Sequence, residues 1–371
     1  MKVRFLAVCL ASVSALTLAG CKKTTPNNRV ATTANWNVRT AAIVETNSNA
    51  YWQTHTEVAT YSTEFTEGSN QSYSIAYKAP AATYVAKFYM ESAYDWTAET
   101  LPEDYRKDEG SEPVYVYETE KRIDGTLTIK SSEQSLNFED STVTICKFRM
   151  AKDRLEPVYS KQIIKNTSPA ALNASKLENA YVTTDKTFET FYNKDCTEAT
   201  VITTNNDGSG EPETKKVSLK CGGYSLFDNC QLGAAIRSFT LTANSNRTFY
   251  TLSAQNGATG KLTARVGKPT ELNKEVVSEA NIIGALTTSM PEDYIFFDGA
   301  TDGSETPRTM RYTPVTATYG KGANPTYWYA TAENTDANAT RSLLLRTTTP
   351  LAFATGTLTY SLKSLNVEAR G

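Results

Sequence analysis

The sequence predicts an all-β protein of antiparallel strands, arranged as a β-sandwich or as barrel-like domains, with one or two short helices. Short runs that alternate apolar and polar residues carry this prediction, as in PVYVYE at residues 113–118 and TVTICKFR at residues 142–149. Clusters of glycine, asparagine, aspartate or proline separate the runs. Tyrosine is the dominant aromatic, with 21 residues, and it suits half-buried sheet surfaces.

The predicted strands follow one another with little helix between them. They cover residues 72–78, 83–90, 113–118, 125–130, 142–149, 186–193, 237–243, 247–254, 260–266, 325–332, 341–347 and 356–367. One helix is predicted at residues 168–180, because Ser168 is a suitable cap and Pro169 would take the first helical position. A second is predicted at residues 270–284, where Leu272, Val276, Ala280 and Ile283 share a face that ends at Gly284.

The chain of 371 residues is long enough for two domains. We predict an N-terminal β domain at residues 36–220 and a C-terminal β domain at residues 221–371, because GSGEP and CGGYSLFDNC precede a new run of strands. PEDY occurs at residues 102–105 and again at residues 291–294, each time downstream of an NSN. Domain duplication and chance both explain this repetition.

The N-terminus has the layout of an export signal. Lys2 and Arg4 precede an uncharged run at residues 5–19, which is too short to span a bilayer. The residues Leu18-Ala19-Gly20-Cys21 then resemble the lipobox of bacterial lipoproteins. The resemblance implies that residues 1–20 are removed as a lipoprotein signal peptide and that Cys21 carries the lipid.

A polar segment follows the lipobox. Residues 21–35 contain little that can be buried, so we predict a flexible tether. The resemblance implies contact with the membrane through the N-terminal lipid. Because Lys22 rather than aspartate follows the cysteine, it also implies the outer membrane, with the protein facing the periplasm or the cell surface.

Four cysteines remain once Cys9 leaves with the signal and Cys21 carries lipid. An even number in an oxidising compartment predicts two disulfide bonds, and the short loop between Cys221 and Cys230 favours that pair and leaves Cys146 for Cys196. A metal site is the alternative, but C-x-x-C spacing and a nearby histidine are both missing. Free thiols are the other alternative.

Composition and motifs argue against several functions. The 38 basic residues less Lys2 and Arg4 stand against 40 acidic ones, a net charge of about −4 spread along the chain, so nucleic acid is not an expected partner. His55 is the one histidine, so a site with two imidazole ligands is impossible. We find no G-x-S-x-G elbow and no P-loop, and we predict no cofactor and no metal.

The remaining candidates are aromatic and acidic segments. Trp96 lies in an acidic stretch that fits either a sugar cleft or an ordinary solvated loop, and the acids are Glu91, Asp95, Glu99, Glu103 and Asp104. Tyr327 and Tyr329 share one strand face opposite Trp328. Trp96, Tyr327 and Tyr329 are therefore candidate binding residues, with packing between sheets as the alternative.

Two loops are candidate ion sites. FDGATDGSE at residues 297–305 suits either calcium or two tight turns. NNDGSGE at residues 205–211 predicts a turn, because it lacks the final glutamate of an EF-hand.

These observations favour a lipid-anchored envelope protein with a binding or structural role, in contact with a polysaccharide or another envelope protein. The alternative is a carboxylate-dependent enzyme that acts on glycans, since two acids for such chemistry can come from anywhere in the chain.

Overall fold

The computed structural model describes residues 53–77, 83–106, 110–151, 154–170, 176–222, 224–237, 239, 241–273, 275–288, 298–299, 305–306, 311–319, 324–331 and 343–370. The predicted signal peptide, the lipobox, the tether and the second PEDY copy lie outside these residues. So does most of the candidate calcium loop.

Strands dominate the described chain. They are β1 (His55–Glu67), β2 (Tyr73–Tyr77), β3 (Thr83–Asp95), β4 (Ser111–Ile129), β5 (Ser135–Ala151), β6 (Arg154–Pro169), β7 (Tyr181–Tyr192), β8 (Glu198–Asn205), β9 (Glu213–Ser218), β10 (Leu226–Asp228), β11 (Asn246–Ser253), β12 (Ala258–Val266), β13 (Thr270–Glu271), β14 (Asp298–Gly299), β15 (Glu305–Thr306), β16 (Arg311–Thr318), β17 (Thr326–Thr331), β18 (Leu344–Pro350) and β19 (Gly356–Ala369). The described α-helices are α1 (Leu232–Arg237) and α2 (Val277–Thr288). The all-β prediction is confirmed.

Seventeen of these strands form one sheet. Its hydrogen-bonded path runs β9-β8-β7-β6-β5-β4-β3-β1-β19-β18-β17-β16-β12-β11-β10, and the short β2 and β13 pair with β4 and β16. The described ladders of this sheet are antiparallel except for the parallel pair β10–β11. The predicted antiparallel arrangement therefore holds almost throughout.

The sheet joins the first and last strands of the described chain. β1 pairs with β19 from His55 opposite Ala369 to Glu67 opposite Gly356. One hydrophobic core contains residues from both halves of the sequence, from Ala59 to Leu365. The predicted boundary between residues 220 and 221 thus falls within one sheet that shares one core.

The sheet curls into a barrel-like shape because its far strand returns to its middle. β10 packs against β6, where Ser160 Oγ donates a hydrogen bond to Asp228 Oδ2 at 2.6 Å. Tyr192 Oη on β7 donates to the same oxygen at 2.7 Å. β7, β8 and β9 continue past this junction and cover a second, smaller core against β10 and β11.

Most predicted strands are present, and several are longer than predicted. Residues 113–118 and 125–129 belong to the single strand β4, because alternation continues through the polar segment between them. The prediction at residues 237–243 is wrong: Arg237 ends α1, and Phe239 makes only an isolated bridge.

The helix predictions had different outcomes. The helix at residues 168–180 is wrong, since Ser168 and Pro169 end β6 opposite Val182 and Tyr181, and proline is tolerated at the end of a strand. The second helix is confirmed in part as α2. It begins at Val277 and continues past Gly284 to Thr288, so this glycine does not end it.

Neither predicted disulfide is present in the described chain, where Cys146, Cys196, Cys221 and Cys230 are not joined to one another. Cys230 packs against the main core whereas Cys221 packs against the smaller one, so the short loop between them separates their sulfur atoms rather than joining them. Cys146 is buried on β5, and the Cys196 thiol donates to the Pro157 carbonyl oxygen at 3.4 Å. The short separation of Cys221 and Cys230 in the sequence was therefore not a sound basis for predicting a disulfide between them.

No described helix is long and apolar enough to cross a bilayer.

Candidate functional site

A cavity of about 60 Å³ lies inside the barrel. Its walls carry aromatic, hydroxyl and amide groups: Tyr84, Tyr117, Tyr327, Thr119, Thr142, Thr144, Ser253, Thr347, Gln162, Asn229 and Gln255, together with Lys121, Cys230 and Gly233. Lys121 is the one charged side chain among these described lining residues.

Strand alternation positions one wall of the cavity. Along β4 the side chains of Tyr117, Thr119 and Lys121 point inward, because every second residue of a strand faces the same side. β5 adds Thr142 and Thr144, which lie opposite Lys121 and Thr119 in the antiparallel register. The hydroxyl oxygens of Thr119 and Thr144 are 2.6 Å apart, so this pair is satisfied within the wall.

The turn between β10 and α1 forms another part of the wall, and Asp228 fixes it. This aspartate caps a short 3₁₀ turn at Asn229–Gln231, and its Oδ1 accepts a hydrogen bond from the Cys230 backbone amide at 2.8 Å. Burial raises the pKa of the Asp228 carboxyl, and hydrogen bonds from Ser160 and Tyr192 oppose that effect. The capped turn brings Asn229 and Cys230 to the cavity.

Gly233 allows two tyrosines to approach this turn. A Cβ atom at this position would lie 2.9 Å from the Tyr117 hydroxyl oxygen, which is closer than a side chain tolerates. Tyr329 Oη donates to the Gly233 carbonyl oxygen at 3.0 Å. The glycine is therefore required by a close contact of backbone with the cavity wall.

Lys121 lies in an unusual electrostatic environment. Its Nζ is 4.6 Å from the ring centroid of Tyr84 and 5.0 Å from that of Tyr360, within the range of cation–π contacts. No ion pair joins it to any carboxylate of the described chain. Burial lowers the pKa of its ammonium group to about 8, and the nearby Cys230 opposes this shift. The side chain keeps some accessible surface, because it faces the cavity.

Two residues that line the cavity, Asn229 and Thr347, are 9% and 3% exposed. Asn229 Oδ1 and Thr347 Oγ1 are closed off from solvent and have no hydrogen-bond partner in the described chain. Buried polar groups in folded proteins are nearly always paired, and each exception calls for an explanation.

A smaller cavity of about 20 Å³ lies beside the first and is lined in part by a buried ion pair. The Arg237 guanidinium donates to both carboxylate oxygens of Glu57, at 2.6 and 2.8 Å. Its carbon Cζ is also 5.6 Å from the ring centroid of Phe88. Because the charges of Glu57 and Arg237 are paired with each other, neither is available to bind a charged ligand, and the main cavity is the better candidate site.

The predicted binding residues have different surroundings. Tyr327 lines the main cavity. Tyr329 is fully buried beside it with a satisfied hydroxyl, so its role there is packing. Both project to the interior, as the alternation predicts, and their ring centroids are 6.4 Å apart.

Trp96 lines neither described cavity. It is 1% exposed, packs in a small cluster on the outside of the sheet, and donates through Nε1 to Glu112 Oε1 at 2.8 Å. The surrounding acids include Glu91, which pairs with Lys147, and Asp104, which pairs with Lys216. The described part of the stretch forms a packed, ion-paired loop rather than a cleft.

The other candidates stay outside the cavity. His55 begins β1, and its Nδ1 lies 2.9 Å from the Thr54 hydroxyl oxygen. Residues 205–210 form the predicted turn between β8 and β9, with Gly208 and Gly210 at positive φ. In the described chain, no group of three His, Cys, Asp or Glu side chains is arranged to hold a metal ion.

Sequence reasoning missed Lys121, although a signal was present. In YETEKRI the inward positions of β4 carry Tyr117, Thr119 and Lys121, while Glu118 and Glu120 face outward. A lysine in the inward register of a long strand marks a polar interior. This signal was lost because β4 was predicted as two separate strands.

The fold and this site define a β-barrel-like protein with a polar internal cavity. The chain matches no protein-family model. It also matches no curated protein sequence. One solved structure similar to it is a β-barrel-like protein of a domain of unknown function from Brucella abortus. The two chains are 8% identical with a TM-score of 0.39, and the match covers 85% of this chain and 99% of that one.

Proposed function

We propose that this protein is a lipid-anchored envelope protein that binds a small, hydroxyl-rich ligand, such as a monosaccharide, inside its barrel. The observation that carries the proposal is the internal cavity whose described lining combines tyrosine rings with hydroxyl and amide side chains. Tyrosine rings and hydroxyl and amide side chains are suited to a sugar, which has apolar faces and a rim of hydroxyls.

The chemistry of the walls favours binding over catalysis. The described lining of the main cavity includes neither aspartate nor glutamate, and in the smaller cavity Glu57 is held by Arg237. Glycoside hydrolysis ordinarily needs two carboxyl groups on either side of the scissile bond. The alternative of a glycan-acting enzyme therefore has no support at either cavity.

The anchor and the location rest on the lipobox resemblance at Leu18-Ala19-Gly20-Cys21. A lipid on Cys21 would hold the barrel at the outer membrane, where polysaccharide fragments are within reach. We therefore keep polysaccharide as the source of the ligand. Contact with another envelope protein is the other partner that the sequence favours.

The proposal is tested by filling the cavity. Thr144→Phe introduces a large side chain at an inward position of β5, whereas Val143→Phe introduces the same side chain at the outward neighbour. Saturation-transfer NMR of the mature chain would use glucose, galactose and mannose, each with its uronic acid. We expect at least one sugar to bind the wild-type protein and Val143→Phe, with at least a tenfold loss of affinity in Thr144→Phe because the filled cavity excludes it.

Circular dichroism and thermal melts establish that both variants are folded. If none of the six sugars binds, or if Thr144→Phe binds them as the wild type does, the proposal is wrong.

A further inference from the structure

We propose that the ligand carries a carboxylate, as a uronic acid does, and that Lys121 binds this group inside the barrel. The inference rests on the proposed function, because it assigns the chemical class of the ligand in the same cavity. Three features carry it: an ammonium group that faces the cavity without a carboxylate partner in the described chain, the absence of acidic groups from the described lining, and aromatic, hydroxyl and amide side chains that suit a sugar.

The ammonium group is the first feature. Taking a cation out of water is costly unless an anion or several hydrogen bonds compensate for the lost hydration. Around Lys121 the compensation comes from the rings of Tyr84 and Tyr360, which replace only part of that hydration. A depressed pKa of about 8 is the expected signature of this deficit. A ligand carboxylate would remove it.

The character of the wall is the second feature. The described lining holds no acidic side chain that would repel an anion or neutralise Lys121. Hydroxyl donors are close: Thr142 lies directly opposite Lys121 on β5. A carboxylate next to Nζ would therefore be surrounded by groups able to donate hydrogen bonds.

The third feature separates a uronic acid from a simple anion. Tyr84, Tyr117 and Tyr327 offer rings to the apolar faces of a sugar, and the hydroxyl and amide side chains of the described lining suit its hydroxyl groups. A ligand that suits both these groups and Lys121 must combine hydroxyls with a negative charge. Uronic acids have this combination.

Three matched pairs of sugars test the inference: glucose and glucuronate, galactose and galacturonate, and mannose and mannuronate. The members of each pair differ at one carbon, which carries a hydroxymethyl or a carboxylate group. For the wild-type protein we expect the acid of at least one pair to bind about ten- to a hundredfold more tightly than its neutral partner, the range of a hydrogen-bonded charge pair. In Lys121→Met we expect that preference to vanish while the neutral sugar still binds.

Control variants separate this effect from general changes in charge or folding. Lys363→Met removes an exposed lysine on β19 and should retain the preference. Lys121→Gln removes the charge but keeps a polar side chain, and it should lose the preference as Lys121→Met does.

A pH titration gives a readout that needs no variant. The titratable groups that face Lys121 are Tyr84 on β3, Tyr117 on β4, Cys230, Tyr327 on β17 and Tyr360 on β19, and burial raises the pKa of each of them. Among Lys121 and these five side chains, Lys121 is thus the one expected to lose its proton between pH 7 and 9.5. We expect affinity for the acid to be level below about pH 8 and to fall above it by up to tenfold per pH unit, while affinity for the neutral sugar stays level.

The outcomes distinguish the two proposals. If acid and neutral sugars bind equally and Lys121→Met changes neither affinity, the inference is overturned while the proposed function stands. If none of the sugars binds the folded wild-type protein, both are overturned. If the preference for the acid persists in Lys121→Met and Lys121→Gln, the carboxylate binds elsewhere and the inference is overturned.

Discussion

Single residues in this protein carry charge or polarity into the interior of the barrel. Lys121 faces two tyrosine rings, Glu57 and Arg237 pair with each other, and Asp228 accepts hydrogen bonds from three neighbours. Asp140 is a further case, since the backbone amide of Thr167 donates to its Oδ1 at 2.8 Å while Oδ2 has no partner in the described chain. Each of these residues loses hydration on folding, and contacts with neighbouring side chains or backbone compensate for part of that loss.

The pH dependence of stability should report on Asp140. Burial raises the pKa of this carboxyl from 3.8 to about 7, so the folded state holds the proton more tightly than the unfolded chain does. The resulting stabilisation is complete below about pH 4 and is lost as the pH rises through 7. Asp140→Asn keeps an acceptor for Thr167 but carries no charge. We expect it to match the wild type near pH 4 and to be more stable by on the order of 2–4 kcal/mol at pH 8.

Urea unfolding at the two pH values measures this difference. Glu139→Gln is the matched control, because Glu139 is the exposed neighbour on the same strand and should show little pH-dependent change. A difference for Asp140→Asn that is the same at both pH values would contradict the explanation.

At the scale of elements, the junction of β10 with β6 and β7 closes the barrel. No ladder joins these strands, so the side chains of Asp228, Ser160 and Tyr192 make the connection. The same aspartate caps the Asn229–Gln231 turn, which contributes Asn229 and Cys230 to the cavity. Barrel closure and the shape of the candidate site thus depend on one carboxylate.

Replacement of that carboxylate should cost more than the loss of one hydrogen bond. Asp228→Ala leaves the Ser160 and Tyr192 hydroxyls and the Cys230 amide without their acceptor, so we expect a loss of about 3–5 kcal/mol in the free energy of unfolding. Tyr192→Phe removes a single hydrogen bond and should cost about 1 kcal/mol. Urea unfolding of both variants checks this, and equal costs would show that the aspartate does not hold the junction.

At the scale of the whole molecule, a single sheet connects strands that are far apart in sequence. β19 pairs with both β1 and β18, so the C-terminal strand contacts an N-terminal one along its length. The first described residue is Gln53, and β1 begins at His55. The proposed lipid attachment at Cys21 therefore precedes the barrel by about 30 residues of chain.

The anchoring prediction is tested at Cys21. Cys21→Ser removes the thiol that the lipobox resemblance marks for acylation, so we expect loss of labelled palmitate and release from the membrane fraction. Cys9→Ser is the matched control, because this cysteine lies in the predicted signal and should leave both readouts unchanged. Membrane association that persists in Cys21→Ser without incorporated lipid would contradict the prediction.

The local pattern of the sequence determined the strands and which residues of a strand share a face. It identified an all-β chain, most strand positions, and the shared face of Tyr327 and Tyr329, because a two-residue period is a property of neighbouring residues. Local rules failed at Ser168 and Pro169, where pairing with β7 overrode a helix-start signal, and at the cysteines, where a short loop between Cys221 and Cys230 suggested a bond.

The tertiary structure alone decided which inward faces meet. Lys121 on β4, Asn229 after β10 and Thr347 on β18 belong to one cavity although more than a hundred residues separate each from the next along the chain. Their meeting depends on the register of every ladder between them and on the closure at Asp228, and no local period encodes these long-range choices. The alternation along β4 by itself places Lys121 on the same face as Tyr117 and Thr119, and only the closed barrel made that face part of a site.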